Sequence, residues 1–140
     1  MAIRATVWGE NVHEQMDPNV RSLYPDGMHA AIAGGLNQDG AIEAETVTLQ
    51  DQEHGLTEER LARTDVLLWW GHRAHGDVSD EIVERVAQRV WQGMGLLVLH
   101  SGHGRVHGAI FPVDLPAGRS KPARSRKGAR HRSWLGSEAL

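Results

Sequence analysis

The sequence predicts an α/β domain built on a parallel β-sheet, because short apolar segments alternate along the chain with segments of helical periodicity. Successive strands of such a sheet are joined by right-handed crossovers through the helices. One run, residues 66–70, is apolar on both faces, as is typical of a central parallel strand. Strands are predicted at 3–8, 44–49, 66–70 and 96–99, and helices at 28–36, 57–61 and 80–92. A length of 140 residues suits a single domain.

Turn and capping residues set the boundaries of these elements. Gly9 ends the first strand, and residues 17–28 are predicted as a loop whose Pro-Asp-Gly turn places Asp26 to cap the next helix. Thr57 and Ser79 stand directly before the second and third helices, where a side-chain oxygen accepts a hydrogen bond from a free backbone N–H.

The composition excludes several classes of protein. The chain has no cysteine, so it has no disulfide, no thiolate metal site and no cysteine nucleophile. No apolar run approaches the roughly 20 residues that a membrane helix needs. The first residues lead straight into a strand rather than into a secretion signal. A cytoplasmic protein without a membrane partner is therefore predicted.

Charge divides the chain into two parts. Residues 1–117 carry 8 Lys/Arg and 17 Asp/Glu, whereas residues 118–140 carry 7 Lys/Arg and one Asp/Glu. The helical and strand patterns end at residue 103, so we predict an α/β domain at 1–103 and a basic low-complexity segment at 104–140. The segment is either a solvated tail or a stretch translated out of frame. Residues 118–140 contain one aromatic residue, Trp134, and no recognisable binding module, so no nucleic-acid partner is predicted.

Histidines gather where three predicted strands end. The carboxyl ends of parallel strands share one edge of a sheet, and ligands of open α/β sheets bind there. Glu10 follows the first strand, and His29 opens the first helix at the same edge. The histidines that follow the strands are His13, His72, His75, His100 and His103. The sequence therefore predicts one crevice into which these side chains converge.

Imidazole and carboxylate groups at this edge are suited to two kinds of chemistry. They are ligands for zinc or another divalent metal, which predicts a metal ion held by some of the histidines, with Glu10 as a further ligand. Alternatively, the histidines cap turns or bind a polar substrate through hydrogen bonds. Ser101 follows a strand as a nucleophile would, but Leu99 stands where the usual glycine of that motif is expected. The sequence therefore favours Ser101 as a turn residue or a hydrogen-bond donor to substrate over a nucleophile.

Aromatic and glycine residues add two smaller predictions. Trp8, Trp69 and Trp70 either stack on a sugar or belong to the core, and strand alternation puts Trp69 and Trp70 on opposite faces. The Gly-Gly pair at 34–35 lacks the spacing of a phosphate-binding loop, so no nucleotide cofactor is predicted.

Five sequence blocks, in order, resemble the trehalose-utilisation (ThuA-like) family over residues 3–103. They read WGENVHE from Trp8, YPDGMH from Tyr24, EHGLT from Glu53, WWGHRAH from Trp69, and GMGLLVLHSGH from Gly93. The resemblance implies a three-layer, flavodoxin-like fold of the class I glutamine amidotransferase type, with helices on both faces of the sheet. It also implies a role in carbohydrate metabolism, with oxidised (3-keto) sugars as the substrate class. Because the chain lacks the cysteine that the superfamily often carries, no glutaminase activity is implied. Family members are longer, so the resemblance implies a chain truncated at its C-terminus.

These observations combine into one functional hypothesis with two alternatives. The hypothesis is an enzyme acting on a small-molecule sugar or keto-sugar. Its predicted catalytic residues are His72, His100, Ser101 and Glu10, its substrate-binding residues are His29, Trp70 and Arg73, and its metal ligands are His13, His75 and His103. The alternatives are a non-catalytic sugar-binding module and an inactive fragment of a longer protein. A sheet with an open edge also predicts a homo-oligomer.

Overall fold

The computed structural model describes residues 1–38 and 40–102, together with Val106 and Ile110. Within this part of the chain, four strands form one parallel sheet in the order β2-β1-β3-β4. The strands are β1 (Ile3–Gly9), β2 (Ile42–Thr48), β3 (Val66–Gly71) and β4 (Gly95–His100). This is the flavodoxin-like order, in which the direction of winding reverses between β1 and β3. The predicted parallel α/β fold is confirmed.

Helices cover both faces of the sheet, which confirms the three-layer prediction. The described helices are α1 (His13–Met16), α2 (Pro18–Leu23), α3 (Met28–Leu36), α4 (Glu58–Ala62) and α5 (Asp80–Trp91). On one face, Trp8 and Trp69 stack with ring centroids 4.1 Å apart, and Val86 of α5 packs in the same buried cluster. On the other face, Val7 and Leu68 pack with Ala33 of α3.

The outer edge of β2 is covered by a side chain. Asn37, just after α3, accepts a hydrogen bond from the backbone N of Ala44 at 2.7 Å and donates one to the backbone O of Ala44 at 3.0 Å. The amide of Asn37 thus takes the place of a neighbouring strand at this position. An exposed strand edge otherwise presents unpaired backbone groups that invite pairing with another chain.

Near the start of the chain, the structure differs from the sequence prediction in one element. The segment 17–28 was predicted as a loop, but α2 occupies Pro18–Leu23. Asp17 caps it by accepting a hydrogen bond from the backbone N of Asn19 at 2.8 Å, and Pro18 takes the first helical position.

The predicted helix caps differ in outcome. Thr57 and Ser79 cap α4 and α5 through their side-chain oxygens, as predicted. Asp26 does not cap α3, because Gly27 is the N-cap residue and the backbone N of Met28 donates to the carboxylate of Glu14 at 3.1 Å.

Two residues beyond position 103 belong to the core. Val106 and Ile110 are buried in the cluster that contains Trp69, and the indole N–H of Trp91 donates to the backbone O of Ile110 at 3.1 Å. The other residues of the predicted segment 104–140 lie outside the described residues. In the described part of the chain, no helix combines the length and apolar character needed to cross a membrane.

Candidate functional site

The carboxyl ends of β1, β3 and β4 bring most of the predicted site residues together. β1 leads into Glu10, β3 into His72, and β4 ends at His100. The strand order reverses between β1 and β3, which is where open α/β sheets form their ligand crevice. The turns are tight: a Cβ atom at Gly71 would lie 2.9 Å from the Cα of Gly102, so glycine is required there.

Glu10 organises the turn that follows β3. The residue is 1% exposed, and its Oε2 accepts hydrogen bonds from the backbone N of Arg73 at 2.6 Å and of Ala74 at 2.9 Å. A carboxylate that accepts two backbone N–H groups fixes the path of the loop that carries them. Arg73 therefore joins the site through its backbone, while its side chain is exposed.

A second set of contacts extends from Glu10 through His75 to Ser101. Oε1 of Glu10 lies 3.2 Å from Nδ1 of His75, an ion-pair distance whose alignment falls short of a hydrogen bond. Nε2 of His75 lies 3.2 Å from Oγ of Ser101. A carboxylate, an imidazole and a hydroxyl thus follow one another, as they do in sites where a base is oriented by an acid.

Ser101 also contacts His100 and the end of β3. Its Oγ lies 3.0 Å from Nδ1 of His100 and 3.1 Å from the backbone O of Gly71. His100 has a φ angle of 57°, in the left-handed region that non-glycine residues seldom adopt. Such strain occurs preferentially at functional sites.

Three histidine rings pack against one another beside this series. The ring centroids of His13 and His72 are 4.9 Å apart, and those of His72 and His100 are 4.6 Å apart. We call His13, His72 and His100 the imidazole cluster. The ring of Trp70 lies 5.8 Å from that of His72 and 5.7 Å from that of His100. Trp70 thus faces the site, whereas Trp8 and Trp69 belong to the core.

The environment of His72 favours its neutral form. Desolvation lowers the pKa of His72, and the neighbouring His100, His13 and Arg73 lower it further, against an opposite effect of Glu10. Desolvation and like charges both disfavour the protonated imidazole. His72 therefore remains a neutral base at pH values where an ordinary histidine is protonated.

His29 lies outside the imidazole cluster, in a buried position at the start of α3. His29 is 6% exposed. A Cβ atom at position 9 would lie 2.9 Å from the Cβ of His29, so Gly9 leaves the space that the histidine occupies. Burial lowers the pKa of His29, although Glu14 acts in the opposite direction. His103, the remaining predicted ligand, lies outside the described residues.

His54 links two loops of the domain, and the sequence did not predict this structural role. Its Nδ1 lies 2.8 Å from the backbone O of Leu49, and its Nε2 accepts a hydrogen bond from the backbone N of Ser79 at 3.3 Å. Its backbone O accepts from the indole of Trp8 at 3.1 Å. The imidazole thus links the loop after β2 to the start of α5.

The sequence predicts a metal ion at this edge of the sheet. In the described part of the chain, no group of three or more His, Asp or Glu side chains is arranged to hold one. Both ring nitrogens of His75 face protein groups, namely Glu10 and Ser101. A metal at this edge would need a ligand from outside the described residues or a rearrangement of the rings.

A separate cavity of about 290 Å³ opens near the amino end of β3. Its polar groups are largely paired with one another: Arg63 contacts Glu45 at 3.2 Å, and the hydroxyls of Thr6 and Thr64 are 2.7 Å apart. Because its groups already satisfy each other, we place the functional site at the carboxyl edge instead.

The family model described as ThuA, trehalose utilisation, matches residues 4–115. The match extends past residue 103, where the recognisable sequence blocks end. No curated protein matches the chain.

Proposed function

This chain belongs to the ThuA (trehalose utilisation) family, and on that premise we propose that it acts on a sugar or keto-sugar by proton transfer at the imidazole cluster. The observation that carries the proposal is the packing of His72 against His13 and His100 at the reversal point of the sheet. A positioned imidazole can remove the proton from a carbon beside a carbonyl or exchange protons with an oxygen.

His72 has the properties of the base in this reaction. Its lowered pKa keeps the ring neutral, and a neutral imidazole can accept a proton. His100, whose ring meets that of His72 edge to face, is the second acid–base group. A keto-sugar offers both a C–H bond beside its carbonyl and hydroxyl groups, so a pair of imidazoles can move protons between adjacent atoms.

Trp70 supports a carbohydrate ligand. It is partly exposed, and its ring adjoins those of both His72 and His100. An indole face covers the apolar C–H surface of a sugar while the neighbouring polar groups bind hydroxyls.

A divalent metal such as zinc is a further part of the proposal. It would polarise a substrate carbonyl, with His13, His75 and His103 as the ligands expected from the sequence. Metal analysis of purified, untagged protein tests this part separately. A content below about one tenth of an equivalent contradicts it, because a resident metal accompanies the folded protein.

Hydrogen exchange in heavy water tests the proposed reaction. Trehalose and its 3-keto derivative are incubated with the protein in D₂O, and deuterium beside the carbonyl is measured by mass spectrometry. We expect incorporation into the keto-sugar, reduced by about 10²-fold or more in His72→Gln. Glu84→Gln, exposed on α5, is the matched control and should exchange like the unchanged protein. Equal exchange by His72→Gln would contradict the proposal.

The second candidate is a sugar-binding module without catalysis, which the partly exposed ring of Trp70 favours. It predicts that the chain binds the keto-sugar with no deuterium incorporation, and that Trp70→Ala abolishes binding. Isothermal titration calorimetry beside the exchange experiment separates the two functions.

A further inference from the structure

Two buried polar side chains near the imidazole cluster each have an atom that no protein group pairs. Glu14 is 2% exposed and His29 is 6% exposed. Among the described residues, neither Oε2 of Glu14 nor Nδ1 of His29 has a hydrogen-bond partner. An unpaired polar atom in a buried position costs free energy, so folded proteins supply such atoms with partners. The partner expected here is a bound molecule.

The start of α3 brings the two side chains into one neighbourhood. Oε1 of Glu14 accepts a hydrogen bond from the backbone N of Met28 at 3.1 Å, and His29 is the next residue of α3. This bond holds the carboxylate in place and leaves Oε2 as its available acceptor. Burial lowers the pKa of His29, and Glu14 has the largest effect among the charges that raise it, as expected of a near neighbour.

Two glycines leave the space in which the ring of His29 lies. A Cβ atom at Gly9 would lie 3.1 Å from Nδ1 of His29, and one at Gly27 would lie 2.6 Å from the same atom. Oδ1 of Asn11 would lie 3.1 Å from that second Cβ position, and Asn11 is partly exposed. The Nδ1 edge of the ring is therefore bordered by backbone without side chains and lies close to the surface.

The segment that covers Glu14 is attached to the domain by little apolar packing. Glu14 is the buried residue of α1, and all residues of α2 are at least partly exposed. Met16 and Leu23 are 69% and 73% exposed. The segment follows Asn11, with a φ of 48°, and ends at Gly27, with a φ of 90°. Because few apolar contacts are lost when it moves, this segment can open locally to admit a ligand.

We propose that Glu14 and His29 form a subsite that binds hydroxyl groups of the sugar beside the imidazole cluster; this inference rests on the proposed function. Oε2 of Glu14 accepts a hydrogen bond from one hydroxyl, and Nδ1 of His29 forms a hydrogen bond with the same or a neighbouring hydroxyl. His13 precedes Glu14 in α1, and its ring centroid is 4.9 Å from that of His72. One sugar molecule can therefore contact both the subsite and the imidazole cluster.

The subsite is expected to select the ligand as well as bind it. A site built to pair with a hydroxyl rejects an analogue that lacks it, because the buried protein atom is then left unpaired. Water offers the same hydroxyl chemistry as a sugar. The two sources are distinguished by combining a change in the protein with a change in the ligand.

Isothermal titration calorimetry of the full chain measures this combination. The ligands are the 3-keto derivative of trehalose and a set of its monodeoxy analogues, each without one hydroxyl. Glu14→Gln is the variant, because its carboxamide oxygen still accepts from the backbone N of Met28 while an NH₂ group replaces the acceptor Oε2. Glu84→Gln, exposed on α5, is the matched control.

We expect Glu14→Gln to raise the dissociation constant of the keto-sugar by about 10-fold or more, and Glu84→Gln to leave it unchanged. For one monodeoxy analogue, Glu14→Gln and the wild type should bind equally weakly, because the hydroxyl that Glu14 contacts is already missing. If Glu14→Gln binds every ligand as the wild type does, water alone occupies the position and the inference is overturned. An equal loss for every analogue also overturns it, because the change then acts through the structure.

A second variant keeps the test decisive if Glu14→Gln does not fold, which circular dichroism shows. His29→Phe keeps a planar ring between the two glycines and removes Nδ1. It should weaken binding of the keto-sugar, and this loss should disappear for an analogue without one hydroxyl. Unchanged binding of the keto-sugar by a folded His29→Phe would overturn the role of His29 in the subsite.

Deuterium exchange by the same proteins separates this inference from the proposed function. Exchange by the wild type, with no dependence of the Glu14→Gln effect on any single hydroxyl, overturns the subsite alone. That dependence without exchange by the wild type overturns the proposed reaction alone. A wild type that neither binds the keto-sugar nor exchanges its protons contradicts both.

Discussion

Replacing Glu10 by alanine removes the group on which the turn after β3 depends. The change leaves the backbone N–H groups of Arg73 and Ala74 without their acceptor in a buried site. A hydrogen bond to a charged group contributes about 1.5–3 kcal/mol, so the loss of two predicts a fall of about 3–6 kcal/mol in the free energy of unfolding. Glu10→Gln keeps an acceptor oxygen for both amides and should cost about 1–2 kcal/mol.

Urea denaturation followed by tryptophan fluorescence and circular dichroism measures both variants. Glu84→Ala, exposed on α5, is the control and should stay within about 0.5 kcal/mol of the unchanged chain. A Glu10→Ala variant that loses less than about 1 kcal/mol would refute the reasoning, because the buried hydrogen bonds would then contribute nothing beyond a surface contact.

Three further predictions concern the rest of the domain. The lowered pKa of His29 means that the free energy of unfolding falls as the pH drops below the ordinary histidine value of 6.5, and thermal denaturation of His29→Gln should show a shallower fall. Trp8→Ala should cost about 3–5 kcal/mol in urea denaturation, whereas Trp91→Ala, at a residue 62% exposed, should cost clearly less; equal losses would contradict the assignment of the core. Arg4 lowers the pKa of Asp65 to about 2 from 3.8, so the stabilisation by this pair is present above pH 3.8 and lost as the pH falls through about 2. The stability difference between the wild type and Asp65→Asn should therefore be largest above pH 3.8 and shrink as the pH falls towards 2, and a difference that stays constant over this range would contradict this sign.

Local signals in the sequence predicted most of the elements. Thr57 and Ser79 stand directly before the helices whose first turns they cap. The start of each helix can therefore be predicted from neighbouring residues alone. Asp17-Pro18 is an equally local signal for α2, but the turn residues that follow it, Pro25 to Gly27, led to the prediction of a loop. The structure has the short helix α2 instead, which begins at Pro18 and is capped by Asp17.

Contacts between distant residues could not be predicted in the same way. The start of α3 is held by Glu14 rather than by Asp26, and His54 links residues that are separated by a whole β-α unit. These contacts depend on how the turns pack, and their geometry includes a left-handed φ of 53° at His54 that the sequence around it does not specify.

The sequence predicted that the side chains of the site lie at one edge of the sheet, but not which of them contact each other. Parallel strands place Glu10, His72 and His100 at one edge whatever the strand order, so the sequence sufficed to bring them together. Which ring meets which depends on the order β2-β1-β3-β4, because that order places the ends of β1 and β4 on either side of β3. The link from Glu10 through His75 to Ser101 therefore became visible only in the folded chain.

The location of the sugar is the most direct test of the central claim. A keto-sugar is titrated into the chain labelled with ¹⁵N at histidine, tryptophan and arginine side chains, and chemical-shift changes are followed. We predict that His72, His100 and Trp70 shift together and saturate with one dissociation constant, while Arg63, beside the cavity near the amino end of β3, stays unchanged. Shifts confined to Arg63, or no saturable shift at the imidazole cluster, would contradict a sugar site at the carboxyl edge of the sheet.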